Sequence, residues 1–325
     1  MKIAVLGSGG WGTALAVLLA RAGHDVALWS RRCELAEALT LARENRDYLP
    51  GVRLHAGVLP VCSGERALDA AAFAVVAVPT HGVRAVLRGL PPAPAYVSAV
   101  KGVRFRRERL LRVSQIIDQV APGARIAVLS GPNLAPEVAK GLPAAAVAAS
   151  KDEGFAGYVQ SAFAGTAFRV YTSSDVVGVE LGGALKNVMA LAAGMADGLA
   201  LGDNAKAALL TRGLREMVRF GVAHGGQDAT FYGLSGLGDL LATAMSPLSR
   251  NRSAGERLAR GTTLAELESG RQIVEGVHTT AALHEWALRS GEDLPITEAV
   301  WRVIYRGADP RKVLDELMRR APKAE

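Results

Sequence analysis

Through the first half of the chain, short apolar runs alternate with stretches of helical period. Residues 2–6 are apolar after Lys2 and show no polar alternation, the pattern of a strand buried on both faces. Residues 13–22 carry apolar side chains at helical spacing and stop at Gly23. Residues 25–30 read as a strand again, further apolar runs end at Val78-Pro79, Val100 and Leu129, and residues 144–149 and 168–171 add two more. Strands regularly separated by helices predict a doubly wound, mainly parallel sheet covered on both faces. After about residue 174 the pattern changes. Residues 176–199 form one long, mostly apolar helical stretch and residues 205–223 a second. Residues 253–260, 279–289 and 296–302 repeat the helical period, with no strand among them. The chain is expected to divide into an α/β domain, residues 1–174, and an all-α domain, residues 175–325, joined by a long helix rather than a flexible tether.

The 325 residues suffice for two domains of ordinary size. Half are hydrophobic and 21% are charged, which excludes a disordered chain. The 38 basic against 31 acidic residues leave a formal charge of +7, which permits an acidic partner without demanding one. Most charges are interspersed. The exception is Lys101, Arg104, Arg106, Arg107, Arg109 and Arg112 around Glu108, readable as a solvated loop and helix face or as a positive field beside an anionic ligand. Aromatic residues make up 5% and do not interleave with it, so no nucleic-acid partner is expected. Cys33 and Cys62 are too few for a disulfide framework and lack C-x-x-C spacing, which fits a reduced, cytoplasmic setting. The N-terminus carries no secretory pattern. The most apolar stretch, residues 181–202, is interrupted by Lys186, Asn187 and Asp197, so no membrane span is expected. No spacing of His, Cys or carboxylates points to a metal.

Gly7-Ser8-Gly9-Gly10-Trp11-Gly12 is a G-x-G-x-x-G motif in the right context, after the first strand and opening the first helix. Gly7 permits the tight turn, Gly9 lets a pyrophosphate approach the backbone, and Gly12 lets the helix pack on the strand. The helix N-terminus offers free N–H groups and a positive dipole to the phosphates. With this loop the α/β half reads as a Rossmann domain, and Trp11 either closes the cofactor site or caps the helix. An NAD site usually carries a carboxylate about 20 residues past the loop; here Ser30-Arg31-Arg32 stand in its place. Arginine pairs with a 2′-phosphate through forked hydrogen bonds where a carboxylate would repel it, so NADP is favoured. Glu34, slightly further on, keeps NAD open. His81 follows the strand end at Pro79-Thr80 and could serve as an acid, whereas His24, His224 and His278 have no partner that the sequence identifies.

In the long helix, Lys186 and Asn187 sit among small apolar residues. An unpaired buried ammonium is costly, so Lys186 must pair, snorkel out or lose its proton easily. Easy proton loss would suit transfer to a carbonyl oxygen. Residues 233–240, GLSGLGDL, are a second glycine-rich element with one carboxylate, Asp239. Ser249-Arg250-Asn251-Arg252 follows, with donors that suit a phosphate.

These motifs run in order with residues 7–14 (GSGGWGTA), Ala77-Val78-Pro79-Thr80, Lys101-Gly102, residues 129–138 (LSGPNLAPEV), residues 202–212 (GDNAKAALLTR) and Val274-Glu275-Gly276. Over nearly its whole length the chain resembles the bacterial NAD(P)-dependent glycerol-3-phosphate dehydrogenases. GALKN followed by GLSGLGDL and SRNR is far more specific than a glycine loop. The resemblance implies reduction of dihydroxyacetone phosphate to glycerol 3-phosphate, supplying glycerophospholipid synthesis. It implies that Lys186 is catalytic and that Lys101, Gly131, Asn133, Asp239, Ser249, Arg250 and Asn251 bind substrate. It assigns Gly7, Gly9, Gly10, Trp11, Gly12, Arg31, Arg32, Lys101, Ala135, Arg250, Ile273 and Glu275 to NADP or NAD. It also implies a homodimer joined through the helical domain. Gly10 stands where many members have Ser or Thr, and Asn133 where Ser is usual. Two rivals are a β-hydroxyacid or 6-phosphogluconate dehydrogenase relative and a non-catalytic nucleotide sensor. GLSGLGDL and SRNR argue against the first; Lys186, Asp239 and Arg250 together argue against the second.

Overall fold

The computed structural model describes residues 1–270 and 273–319. The first half opens with β1 (Lys2–Leu6), α1 (Gly10–Arg21), β2 (Asp25–Trp29) and α2 (Cys33–Ala42). A small hairpin, β3 (Glu44–Asn45) and β4 (Leu49–Arg53), leads to β5 (Val58–Val61), α3 (Gly64–Leu68), β6 (Ala74–Val76), α4 (Val83–Arg88) and β7 (Ala95–Ser98). A second hairpin, β8 (Val103–Arg106) and β9 (Arg109–Arg112), precedes α5 (Val113–Val120), β10 (Arg125–Ser130), α6 (Ala135–Lys140), β11 (Ala144–Ser150), α7 (Glu153–Ala162) and β12 (Phe168–Ser173). Eight strands make one sheet in the order β12-β11-β10-β7-β6-β1-β2-β5. All its neighbours pair in parallel except β10 and β11.

The unalternated apolar runs have a simple cause. Ile3 and Val5 of β1 join the core beneath α1, while Ala4 and Leu6 join the core beneath α4 and α5 on the other face. Strand order reverses at β1: the chain moves outward to β2 and β5, then crosses back to β6. The crevice above the carboxyl ends of β1 and β6 is therefore the switch point at which such sheets bind ligands.

After β12 the described residues hold only helices: α8 (Val176–Gly198), α9 (Gly202–Ala223), α10 (Asp228–Tyr232), α11 (Asp239–Met245), α12 (Arg250–Ala259), α13 (Leu264–Glu268), α14 (Glu275–Ser290), α15 (Pro295–Arg306) and α16 (Pro310–Met318). Asp175 caps α8, its Oδ1 accepting from the Gly178 N–H at 2.8 Å. Its Oδ2 accepts from the Gln227 N–H at 2.8 Å and the Thr230 hydroxyl at 2.7 Å, tying the cap to α10. Among the described residues α8 is the one helix long and apolar enough to cross a membrane, but 89% of that stretch is buried inside the fold. Its apolar character comes from being wrapped by α9, α11, α12 and α14. Glycine allows α8 and α12 to touch backbone to backbone. A Cβ at Gly194 would lie 1.9 Å from the Arg252 carbonyl oxygen, and one at Gly255 2.0 Å from that of Leu191. This contact lays the start of α12 beside Asn187.

Two expectations are corrected. The basic run is largely the hairpin β8–β9, not a loop and helix face. The cysteines, expected to be reduced, are bonded to each other. The parallel register pairs Trp29 with Val61, so the segments leaving β2 and β5 run side by side. The Cα atoms of Cys33 and Cys62 are consequently 5.0 Å apart, a bridging distance.

Candidate active site

Four segments meet above the carboxyl ends of β7 and β10, on the β6 side of the switch point. Lys101 follows β7, Gly131 follows β10, Lys186 lies in mid-α8, and Asp239 opens α11 after a π-helical turn over Leu234–Gly238. Lys101 Nζ donates to the Gly131 carbonyl at 2.8 Å and to Asp239 Oδ2 at 2.6 Å. Lys186 Nζ lies 2.9 Å from Asp239 Oδ1 and donates to the Thr243 hydroxyl at 2.6 Å. Thr243 Oγ1 in turn donates to Asp239 Oδ1 at 3.2 Å. Lys186 is 5% exposed and Asp239 1%. Burial pushes the Lys186 ammonium down from its usual range to about 8, opposed in part by Asp239 and reinforced by the charges of Lys101 and Arg250. Two lysines share one carboxylate, with Arg250 near, so the cluster carries excess positive charge and suits an anionic ligand.

A second network surrounds it. Asn187 Nδ2 donates to the Lys101 carbonyl at 2.9 Å, and Asn251 Nδ2 to Asn187 Oδ1 at 2.9 Å. Asn251 Oδ1 accepts from the Gly276 N–H at 2.9 Å. Arg250 Nη1 donates to the Ile273 carbonyl at 3.2 Å. Glu275 reaches across to the sheet, accepting from the Thr80 N–H at 3.1 Å and the Thr80 hydroxyl at 2.7 Å. Ser249 spends its hydroxyl on the α12 cap, accepting from the Arg252 N–H at 3.2 Å.

The glycine loop fits a dinucleotide. No side chain caps α1, so its first N–H groups are free for phosphate. Space is open at Gly9, whereas a Cβ at Gly12 would lie 1.9 Å from the Gly7 carbonyl oxygen. Trp11 Nε1 and Asn133 Oδ1 are buried without a protein partner. Arg31 and Arg32 stand exposed beyond β2, and Ala135 opens α6. Family models for the N- and C-terminal parts of NAD-dependent glycerol-3-phosphate dehydrogenase match residues 2–156 and 175–315. The chain belongs to the NAD-dependent glycerol-3-phosphate dehydrogenase family.

Its relatives are similar from end to end. A glycerol-3-phosphate dehydrogenase [NAD(P)+] of Thermus thermophilus is 56% identical over 325 residues, covering 100% of both chains. One from Deinococcus radiodurans is 51% identical over 99% of this chain and 96% of its own. The crystal structure of glycerol-3-phosphate dehydrogenase from Coxiella burnetii superposes with a TM-score of 0.93 at 35% identity, covering 98% of this chain and 99% of that one. A ketopantoate reductase from Ralstonia eutropha, 18% identical over 98% of this chain and 100% of its own with a TM-score of 0.62, shares the fold.

In this dehydrogenase both departures from the family pattern have a local cause or use. A Cβ on Gly10 would lie 2.7 Å from the Tyr48 carbonyl oxygen, so the hairpin β3–β4 claims the space of a larger residue. Asn133 Nδ2 donates to the Ala145 carbonyl at 2.9 Å, which aims its free Oδ1. Sequence reasoning missed Thr243 and Tyr48 and gave Thr80, though quoted in a motif, no part in the site. Thr243 was detectable as the residue one helical turn beyond Asp239. Tyr48, whose hydroxyl accepts from Arg32 Nη2 at 3.1 Å, left no signal. His81 packs edge-on against His278, ring centroids 5.2 Å apart. Burial and the neighbouring His278 lower its pKa, which disfavours the acid role considered for it.

Proposed function

We infer that the chain is an NAD(P)-dependent glycerol-3-phosphate dehydrogenase: dihydroxyacetone phosphate, NAD(P)H and a proton give glycerol 3-phosphate and NAD(P)+, reversibly. The observation that carries the reading is the buried array of Lys186, Asp239 and Lys101, a proton-bearing group of tuned pKa inside a net-positive cluster. The nicotinamide, when bound, supplies hydride to the carbonyl carbon. Lys186 donates a proton to the carbonyl oxygen as negative charge grows there. In the oxidative direction its neutral amine takes the proton of the substrate's secondary hydroxyl. Asp239 holds Lys186 and Lys101 in register, and Thr243 fixes the Lys186 ammonium. Arg250 and Asn251, in the first turn of α12, bind the phosphate. Gly131, Asn133 and Ser249 complete the substrate site, and Lys101 serves substrate and cofactor alike. Residues 1–174 act as the cofactor domain and residues 175–325 as the substrate domain.

The glycine loop, Ala135, Arg250, Ile273 and Glu275 hold the dinucleotide. Arg31 and Arg32 take the 2′-phosphate, which favours NADPH. The enzyme works in the cytoplasm as a homodimer. Exposed apolar side chains on the helical half, Val222, Tyr232, Leu241, Met245 and Leu248, support a partner surface there. The deciding assay is oxidation of NADPH and of NADH with dihydroxyacetone phosphate and with unphosphorylated dihydroxyacetone. No turnover of the phosphorylated ketone with either cofactor would sink the reading.

A further inference from the structure

We propose that Cys33 and Cys62 form a reversible redox site that sets how tightly the enzyme holds a 2′-phosphorylated cofactor. The proposal rests on the reading that Arg31 and Arg32 bind the 2′-phosphate. The disulfide begins one residue after those arginines: Arg32 is the N-cap of α2 and Cys33 its first residue. The bond therefore anchors the backbone that carries both guanidinium stems. At the other end, Cys62 follows β5, an edge strand whose one neighbour is β2. Trp29 Nε1 donates to the Cys62 carbonyl at 3.1 Å, and the Ser30 N–H to the Val61 carbonyl at 2.8 Å, so the far anchor is itself held to the end of β2.

The loop closed by the bridge contains α2, the hairpin β3–β4 and β5. That hairpin carries Tyr48, which touches both halves of the cofactor site. Its hydroxyl accepts from Arg32, the Arg32 guanidinium lies 5.9 Å from its ring centre, and its carbonyl abuts Gly10 of the phosphate loop. One covalent bond thus braces the arginine loop and closes the segment that steers Arg32. Cys33 is exposed and Cys62 half-buried, within reach of a small dithiol. The chain has only these 2 cysteines, so no third thiol competes for the pair. Disulfides that form in a reducing cytoplasm are usually transient and redox-responsive.

The step balances with an external dithiol as reductant. One of its thiolates attacks a bridge sulfur, the S–S bond breaks, and the second thiol of the reagent displaces the mixed disulfide. Two electrons and two protons pass to Cys33 and Cys62, and the dithiol leaves as a disulfide. With the bridge open, the first turn of α2 and the arginine loop must be ordered when cofactor binds, which weakens binding. NADPH bears this cost through its 2′-phosphate; NADH, which lacks that group, bears little of it.

The test titrates the full enzyme with NADPH and NADH by fluorescence, oxidised and after dithiothreitol, with thiols counted under denaturing conditions in each state. The oxidised enzyme should show no thiol and the reduced enzyme the full pair. Reduction should raise Kd for NADPH roughly 3- to 10-fold and leave NADH nearly unchanged. Cys33→Ser and Cys62→Ser should each match the reduced enzyme and ignore dithiothreitol, with NADH binding as the check on folding. Free thiols under oxidising conditions, or an unchanged Kd for NADPH on reduction, would overturn the proposal. Arg31→Ala with Arg32→Ala separates the two claims. If that change leaves NADPH binding intact, the reading of the arginines fails. If it weakens NADPH while dithiothreitol does not, the redox site alone fails.

Discussion

Asp239→Asn is the sharpest probe of the buried cluster, because it removes one charge and almost no volume. Asp239 lies 2.6 Å from Lys101 Nζ and 2.9 Å from Lys186 Nζ and is 1% exposed. The change leaves two ammonium groups facing a neutral amide. Stripping one partner from a buried pair typically costs about 3–5 kcal/mol when the other stays charged. Lys186 escapes part of that cost by losing its proton. Its pKa already stands at about 8 with Asp239 opposing the fall, so without the carboxylate it drops further. A drop of about one unit cuts the protonated fraction at pH 8 from about a half to about a tenth. The readout is kcat/KM for dihydroxyacetone phosphate across about pH 6 to 10, which reports the ionisations of the free enzyme. In the wild type, reduction should decline as pH rises through about 8. In Asp239→Asn the decline should begin at lower pH, with less activity lost at the acid end than at the alkaline end. A variant whose alkaline limb stays in place, or moves to higher pH, would refute the claim that Asp239 sustains the Lys186 proton.

Lys186→Met should lower kcat by about 10²–10⁴-fold, the usual worth of a general acid, while NADPH still binds; retention of most of kcat would remove Lys186 from the proton path. Arg250→Ala should reduce kcat/KM for dihydroxyacetone phosphate by roughly one to two orders of magnitude and hardly affect unphosphorylated dihydroxyacetone; equal loss on both would show that Arg250 does not anchor the phosphate. Arg252→Ala should do far less to kinetics, since Arg252 Nε pairs with Asp197 at 2.6 Å. Reduction of the bridge between Cys33 and Cys62, 29 residues apart, should lower the apparent Tm, the closed loop contributing about 3–4 kcal/mol by its entropy. An unchanged melting profile after complete reduction would contradict that value.

Most of what could be read along the chain was local. The run at residues 2–6 is apolar at every step because β1 is buried on both faces, and that leaves its mark within a few positions. The glycine loop is legible for the same reason: its turn, phosphate approach and helix packing each constrain one neighbouring residue. The disulfide left no such mark. Nothing near Cys33 or Cys62 announces the pairing, which follows from the parallel register of β2 on β5. Tyr48 is silent for a related reason, because it matters only where its hairpin folds back onto Gly10 and Arg32.

Lys186 marks the division most clearly. That an ammonium inside a small-residue helix needs a partner, or must lose its proton, follows from the cost of burying charge. Pairing, snorkelling and proton transfer remained open on that ground, since the choice depends on residues far away in the chain. The packed molecule decides for pairing over snorkelling: Asp239 and Thr243 arrive from α11, and Lys101 from the end of β7. Periodicity and the placement of glycine carry the sheet, the phosphate loop and the long helix because short-range sterics and burial write them into consecutive residues. The shared carboxylate, the cysteine bridge and the proton affinity of Lys186 arise between segments that meet only on folding, and there distance and desolvation decide.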